Sequence, residues 1–161
     1  MGSEIAQQQI DEVLEIYKPE QRILVSAGLD YPSAKGIFRV GPTSYVITPF
    51  KHATDIEIQL CLNQLVYVSV SEIMRLNLVP ELEGLYFKEL QEEGMVITQS
   101  QKRFRKPIRT DKEITGELTY RNSKKYNSIV LARADFQFED RNCLGSLEMA
   151  LIKPHEGETK K

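Results

Sequence analysis

The stretch LCLNQLVYVSVSEIMRLNLV, residues 60–79, decides how the rest of the chain is arranged. Val66, Val68 and Val70 give its middle the local preference of a strand, yet the apolar segment exceeds an ordinary strand and meets no Gly or Pro before Pro80. Length favours a helix. On a helix, Leu62, Leu65, Val66, Ser69, Val70, Ile73, Met74 and Leu76 cover most of the circumference, so other structure must enclose it.

Both flanks supply that structure. Upstream, residues 3–17 (SEIAQQQIDEVLEIY) place Ile10, Val13, Leu14 and Tyr17 on one face of an amphipathic helix, which Lys18-Pro19 ends. Short extended pieces follow at 22–26 (RILVS), 36–40 (GIFRV) and 44–50 (SYVITPF), separated by Gly, Pro and Ser. Downstream, residues 95–104, 113–121, 128–138 and 144–152 read as four strands joined by polar turns, with DRN at 140–142 the tightest hairpin. In 128–138, Val130, Ala132, Ala134, Phe136 and Phe138 alternate with Arg133, Asp135 and Gln137, the period of an antiparallel strand with one buried face. About six strands wrapped around one central helix make an α+β hotdog fold. No repeat or linker divides the chain, so residues 1–161 are expected to form one such domain, with the polar end HEGETKK (155–161) frayed.

Composition narrows the function. With 161 residues, 41% apolar and 27% charged, the chain belongs to the ordinary globular class. Its 21 basic and 23 acidic residues leave a net charge of −2, so bulk electrostatics argue against a nucleic-acid or anionic-membrane partner. No apolar run approaches the ~20 residues of a membrane span, and the acidic start lacks the features of a signal peptide, so the expected location is the cytoplasm. Cys61 and Cys143 have no CxxC spacing, which in a reducing compartment favours buried free thiols. Only His52 and His155 are available, so a His-based metal site is not expected, nor is a cofactor. GxSxG, Gly-rich phosphate-loop and HExxH motifs are missing, leaving serine-hydrolase, P-loop and zincin chemistry without support.

Three groups of residues remain as candidates. Asn63 and Gln64 fall in the first turn of the central helix as read from 60 onward, where free N–H groups and the dipole would polarise a carbonyl. The competing reading is an N-cap or a satisfied core amide. Just upstream, Tyr45, His52, Asp55 and Glu57 gather ionisable groups; His52 could act as a general base oriented by a carboxylate. Equally, Asp55, Glu57 and Gln59 alternate with Ile56, Ile58 and Leu60 like the wet face of a half-buried strand. The third group is 101–109 (QKRFRKPIR), where Lys102, Arg103, Arg105, Lys106 and Arg109 surround Phe104. Such a run suits phosphates or an acidic protein surface, or simply protects a strand end from edge pairing. Cys61, among leucines, reads as a small buried hydrophobe rather than a nucleophile.

Two segments carry a family resemblance. DIEIQLCLNQLVYVSVSEIM (55–74) resembles the strand-to-helix segment of FcoT-type hotdog proteins, with an Asn-Gln pair, an apolar pair and then Tyr67. SQKRFRKPIRTDKEITGEL (100–118) is similar to that family's Phe-Arg-Arg-Pro strand and following Gly-Glu, here Phe104-Arg105-Lys106-Pro107 and Gly116-Glu117. The resemblance implies action on acyl thioesters of coenzyme A or acyl carrier protein, either as a thioesterase or by adding glycine to an enoyl-carrier thioester. It implies catalytic roles for Asn63, for Tyr45 if one residue is inserted, and for His52; Thr54, Asp55, Gln64, Tyr67, Phe104 and Arg105 become substrate contacts. A second family Asn falls on Thr54 here. The implied assembly is a homodimer or dimer of dimers with the acyl tunnel between protomers, and the basic 102–109 segment would dock a carrier protein. Hotdog dehydratases resemble the chain less, because they place a carboxylate on the helix where Asn63 and Gln64 stand. A non-catalytic acyl-binding partner is the remaining alternative.

Overall fold

Thr54 opens the central helix. The computed structural model describes residues 2–42 and 45–154, and in it the Thr54 hydroxyl accepts from the Ile56 N–H at 3.3 Å while the Glu57 carboxylate accepts the Thr54 N–H at 2.7 Å. This reciprocal cap satisfies N–H groups that a helix start leaves unpaired. The helix, α2, then runs Asp55–Arg75. It therefore begins five residues, roughly one and a half turns, earlier than the 60–79 reading placed it, and Asn63 and Gln64 lie in its third turn, not its first. The strand-like alternation of Ile56, Ile58 and Leu60 is overridden because Ile58, Leu62 and Leu65 continue at helical spacing, all fully buried. Each such side chain contributes about 1.5–3 kcal/mol of hydrophobic stabilisation.

Around α2 lies one seven-stranded antiparallel sheet. Its strands are β1 (Ser3–Glu4), β2 (Leu24–Asp30), β3 (Ser33–Phe38), β4 (Met95–Phe104), β5 (Ile114–Tyr126), β6 (Ile129–Phe138) and β7 (Cys143–Ile152). The order across the sheet is β1-β2-β3-β5-β6-β7-β4, so β4 occupies an edge beside β7. Val130, Ala134, Phe136 and Phe138 of β6 turn inward as their alternation requires, with Ala132 half-buried among them. Gly36 and Gly116 face each other across β3 and β5. A Cβ at Gly36 would meet Leu65 of α2 at 3.2 Å and Leu24 at 2.9 Å, so the bare backbone is what lets the helix lie against the sheet. A long antiparallel sheet wrapped around a central helix is the hotdog architecture.

Several expectations are corrected. The N-terminal helix, α1, spans only Gln7–Leu14 rather than 3–17, because Ser3–Glu4 pair with β2 instead; Ile10, Val13 and Leu14 are buried as their spacing requires. Residues 45–50 form turns and bends and not a strand, Pro49 being unable to donate to a ladder. Ser44 and the tail at 155–161, with His155, lie outside the described residues. Among the described residues, no helix is long and apolar enough to cross a membrane.

Candidate active site

Two polar clusters meet at the first turn of α2. In the first, the Tyr45 hydroxyl donates to Glu57 Oε1 at 2.6 Å and lies 2.7 Å from Thr54 Oγ1, while the Thr54 hydroxyl contacts Glu57 Oε2. Glu57 is buried, at 6% exposure. Burial pushes its carboxyl up, but the hydrogen bonds from Thr54, Tyr45 and the main chain outweigh that and hold it below its ordinary value. The Tyr45 phenol is raised, by desolvation first and then by donating to that carboxylate, so Tyr45 stays a neutral hydroxyl. Sequence reasoning read Glu57 as a strand residue. Its signal was Thr54-x-x-Glu57 ahead of an apolar run, the pattern of a capping box. That cap already fills the helix N-terminus with a carboxylate, so the carbonyl-binding end inferred there is occupied by the chain itself.

The second cluster climbs one stripe of the helix. Asp55, Gln59 and Asn63, four residues apart, face Ser100 and Lys102 on β4. Gln59 is its centre: its Oε1 accepts from Lys102 Nζ at 2.6 Å and Ser100 Oγ at 3.2 Å, and its Nε2 donates to Asn63 Oδ1 at 3.0 Å. Lys102, whose side chain is 10% exposed, also pairs with Asp55 at 3.1 Å. Asn63 is half-buried and one turn below Tyr67, itself half-buried and tilted against Tyr17 with ring centroids 6.4 Å apart.

Gln64 serves a different face. It is fully buried; its Oε1 accepts from the N–H groups of Ile23 and Leu24, both at 3.0 Å, and its Nε2 donates to the Gln21 carbonyl at 2.6 Å. The reading of a satisfied core amide therefore describes Gln64, whereas Asn63 remains on the accessible side.

The basic run forms a strap beside the helix start. Arg105 and Lys106 donate main-chain hydrogen bonds to the Asn142 carbonyl at 2.7 and 3.3 Å, and Ala53 N–H donates to the Ile108 carbonyl at 2.7 Å. His52 pairs with Arg109 in a β-bridge and stacks on Phe50, ring centroids 5.5 Å apart. Asp55, expected to orient His52, is instead ion-paired with Lys102. Phe104 and Arg105 are exposed at the end of β4. Cys61 and Cys143 are free and buried; burial pushes the Cys61 thiol far up and the Cys143 thiol up to about 11, which leaves neither as a thiolate near neutral pH. Among the described residues, no group of His, Cys, Asp and Glu is placed to hold a metal ion.

Comparison with known proteins agrees with this architecture. The family model for the FcoT-like thioesterase domain matches residues 12–151. No curated protein matches the chain. Among solved structures, it is similar to an HP0420 homologue from Helicobacter felis, at 12% identity and TM-score 0.54, over 94% of this chain and 96% of that one. A mutant form of thioesterase PA1618 from Pseudomonas aeruginosa matches at 10% identity and TM-score 0.57, over 93% and 96%. GphF dehydratase 1 matches at 12% identity and TM-score 0.58, over 96% of this chain and 52% of that one. At these identities the likeness is one of fold.

Proposed function

The chain belongs to the FcoT-like thioesterase family, and from that premise we propose that it hydrolyses acyl thioesters of coenzyme A or an acyl carrier protein, with Asn63 binding the thioester carbonyl. One observation carries the assignment. Asn63 spends its Oδ1 on Gln59, which leaves the two N–H bonds of its Nδ2 to donate from the half-buried side of the helix. In hydrolysis, water oxygen bonds to the carbonyl carbon as the water gives up a proton, the carbonyl oxygen gains negative charge, and the C–S bond then breaks with the departing sulfur taking up a proton, so that a thiol and a carboxylic acid are released. A preorganised N–H donor at that oxygen lowers the barrier.

Tyr45, locked by Glu57 and Thr54 at the foot of the same helix, and His52 beside it are the groups proposed to position water. Thr54, Asp55 and Tyr67 flank the proposed path of the thioester. Arg105, on the basic strap at 102–109, is proposed to meet the phosphates of coenzyme A or the acidic face of a carrier protein, with the exposed Phe104 ring packing on the apolar part of the same ligand. Gln64 is left out of the substrate set because its amide is engaged. We further propose a homodimer. Among the described residues, edge strand β4 pairs only with β7, and the α2 stripe through Ile56, Leu60, Asn63, Tyr67 and Met74 is exposed or half-buried. Two buried thiols suit a reducing, cytoplasmic setting.

The test is to incubate the protein with saturated and α,β-unsaturated acyl-CoA and acyl-carrier substrates, with and without glycine, following free thiol and mass. Thiol release independent of glycine is the expected result. A glycine-dependent mass gain without thiol release would assign conjugate addition instead, and silence on every substrate would favour an acyl-binding role.

A further inference from the structure

We propose that Lys102 and Gln59 are positioning residues that set which way the Asn63 amide faces; the proposal rests on the reading of Asn63 as the carbonyl-binding group. The direction of the chain follows from what each group is able to do. An ammonium only donates, so the Gln59 atom 2.6 Å from Lys102 Nζ has to be oxygen. Ser100 Oγ donates to the same oxygen at 3.2 Å. The other end of the Gln59 amide is then NH₂, and it lies 3.0 Å from the Asn63 side chain. Only the Asn63 oxygen accepts from it, because the opposite rotamer would set two NH₂ groups face to face. Asn63 Nδ2 is left turned away from Gln59, and no hydrogen bond within the described residues engages it.

Charge adds to orientation. The chain runs from ammonium to amide to amide, each acceptor polarised by the donor before it, so the cation strengthens the donor at the far end. That is the sign an oxyanion needs. Asp55, at 3.1 Å, supplies Lys102 with a counter-charge where the lysine is nearly enclosed.

A scaffold contact that only joined α2 to β4 would need the same distances, so the test must separate shape from polarity. Gln59→Glu does so. A carboxylate there keeps the size and strengthens the tie to Lys102, but it only accepts. Asn63 must then turn its NH₂ inward and present oxygen to the thioester. The expected result is a fall of ~10²-fold in kcat with little change in KM or thermal midpoint. Lys102→Met should lose activity as well, and Lys102→Arg should restore most of it. An unchanged kcat in Gln59→Glu would overturn the proposal. The orientation is also read without substrate, from the side-chain ¹H–¹⁵N spectrum: the Asn63 NH₂ protons should exchange rapidly with water in the native protein and slowly in Gln59→Glu. If the native protein hydrolyses no thioester, the proposed function fails and this spectrum alone decides the positioning chain; identical Asn63 exchange in the two proteins would overturn it.

Discussion

Asn63 and Gln64 are adjacent amides with opposite duties. Helical geometry turns consecutive side chains about 100° apart, so one faces the polar stripe toward β4 and the other the start of β2. Gln64→Leu would leave the N–H groups of Ile23 and Leu24 buried and unpaired. The expected cost is about 2 kcal/mol or more, seen as a thermal midpoint lowered by roughly 5 °C or more, because each orphaned donor costs ~1–3 kcal/mol. The same midpoint as the native protein would show that the main chain there finds other partners. At this scale the sequence pointed to Asn63, since a polar pair inside an apolar helix invites a reason. Its partners were hidden. Gln59 and Lys102 are 43 residues apart and meet only because β4 folds back beside α2.

At the scale of elements, β4 was legible to its ends and β6 nearly so, because period-2 alternation bounded by turn residues leaves little choice. The start of α2 was not. Ile56, Ile58 and Leu60 alternate like a strand, and tertiary enclosure outweighs that local pattern. The Thr54–Glu57 cap that starts the helix gives a pH signature. Glu57 is held below its ordinary value of 4.5, so its ionised form stabilises the fold above that pH, and the contribution is lost as pH falls through the lower folded value. Thermal melts between about pH 7 and about pH 3 should show Glu57→Gln starting less stable than the native protein and losing less on acidification. Parallel pH profiles for the two would contradict a role for the ionised cap.

For the whole molecule, the wrapped helix and the hotdog fold followed from one long apolar segment set between strands, and the family match over residues 12–151 agrees. The assembly is less direct, since it depends on surfaces rather than on the core. Ile56 is 58% exposed on the stripe that carries Asn63, and Val96 on edge strand β4 is 47% exposed. Light scattering on the eluting native protein should give the mass of a dimer. Ile56→Lys should shift it toward monomer with its circular dichroism unchanged. A native protein that is monomeric at every concentration would remove the proposed interface, and with it a tunnel between protomers.

Whether the Asn63 amide stabilises the charge developing on a thioester carbonyl is decided by comparing native protein with Asn63→Ala in a steady-state assay of thiol release from a long-chain acyl-CoA. The native protein should release thiol and the variant should lose ~10²–10³-fold in kcat, with the thermal midpoint held. An Asn63→Ala variant that releases thiol at the native rate would contradict that role.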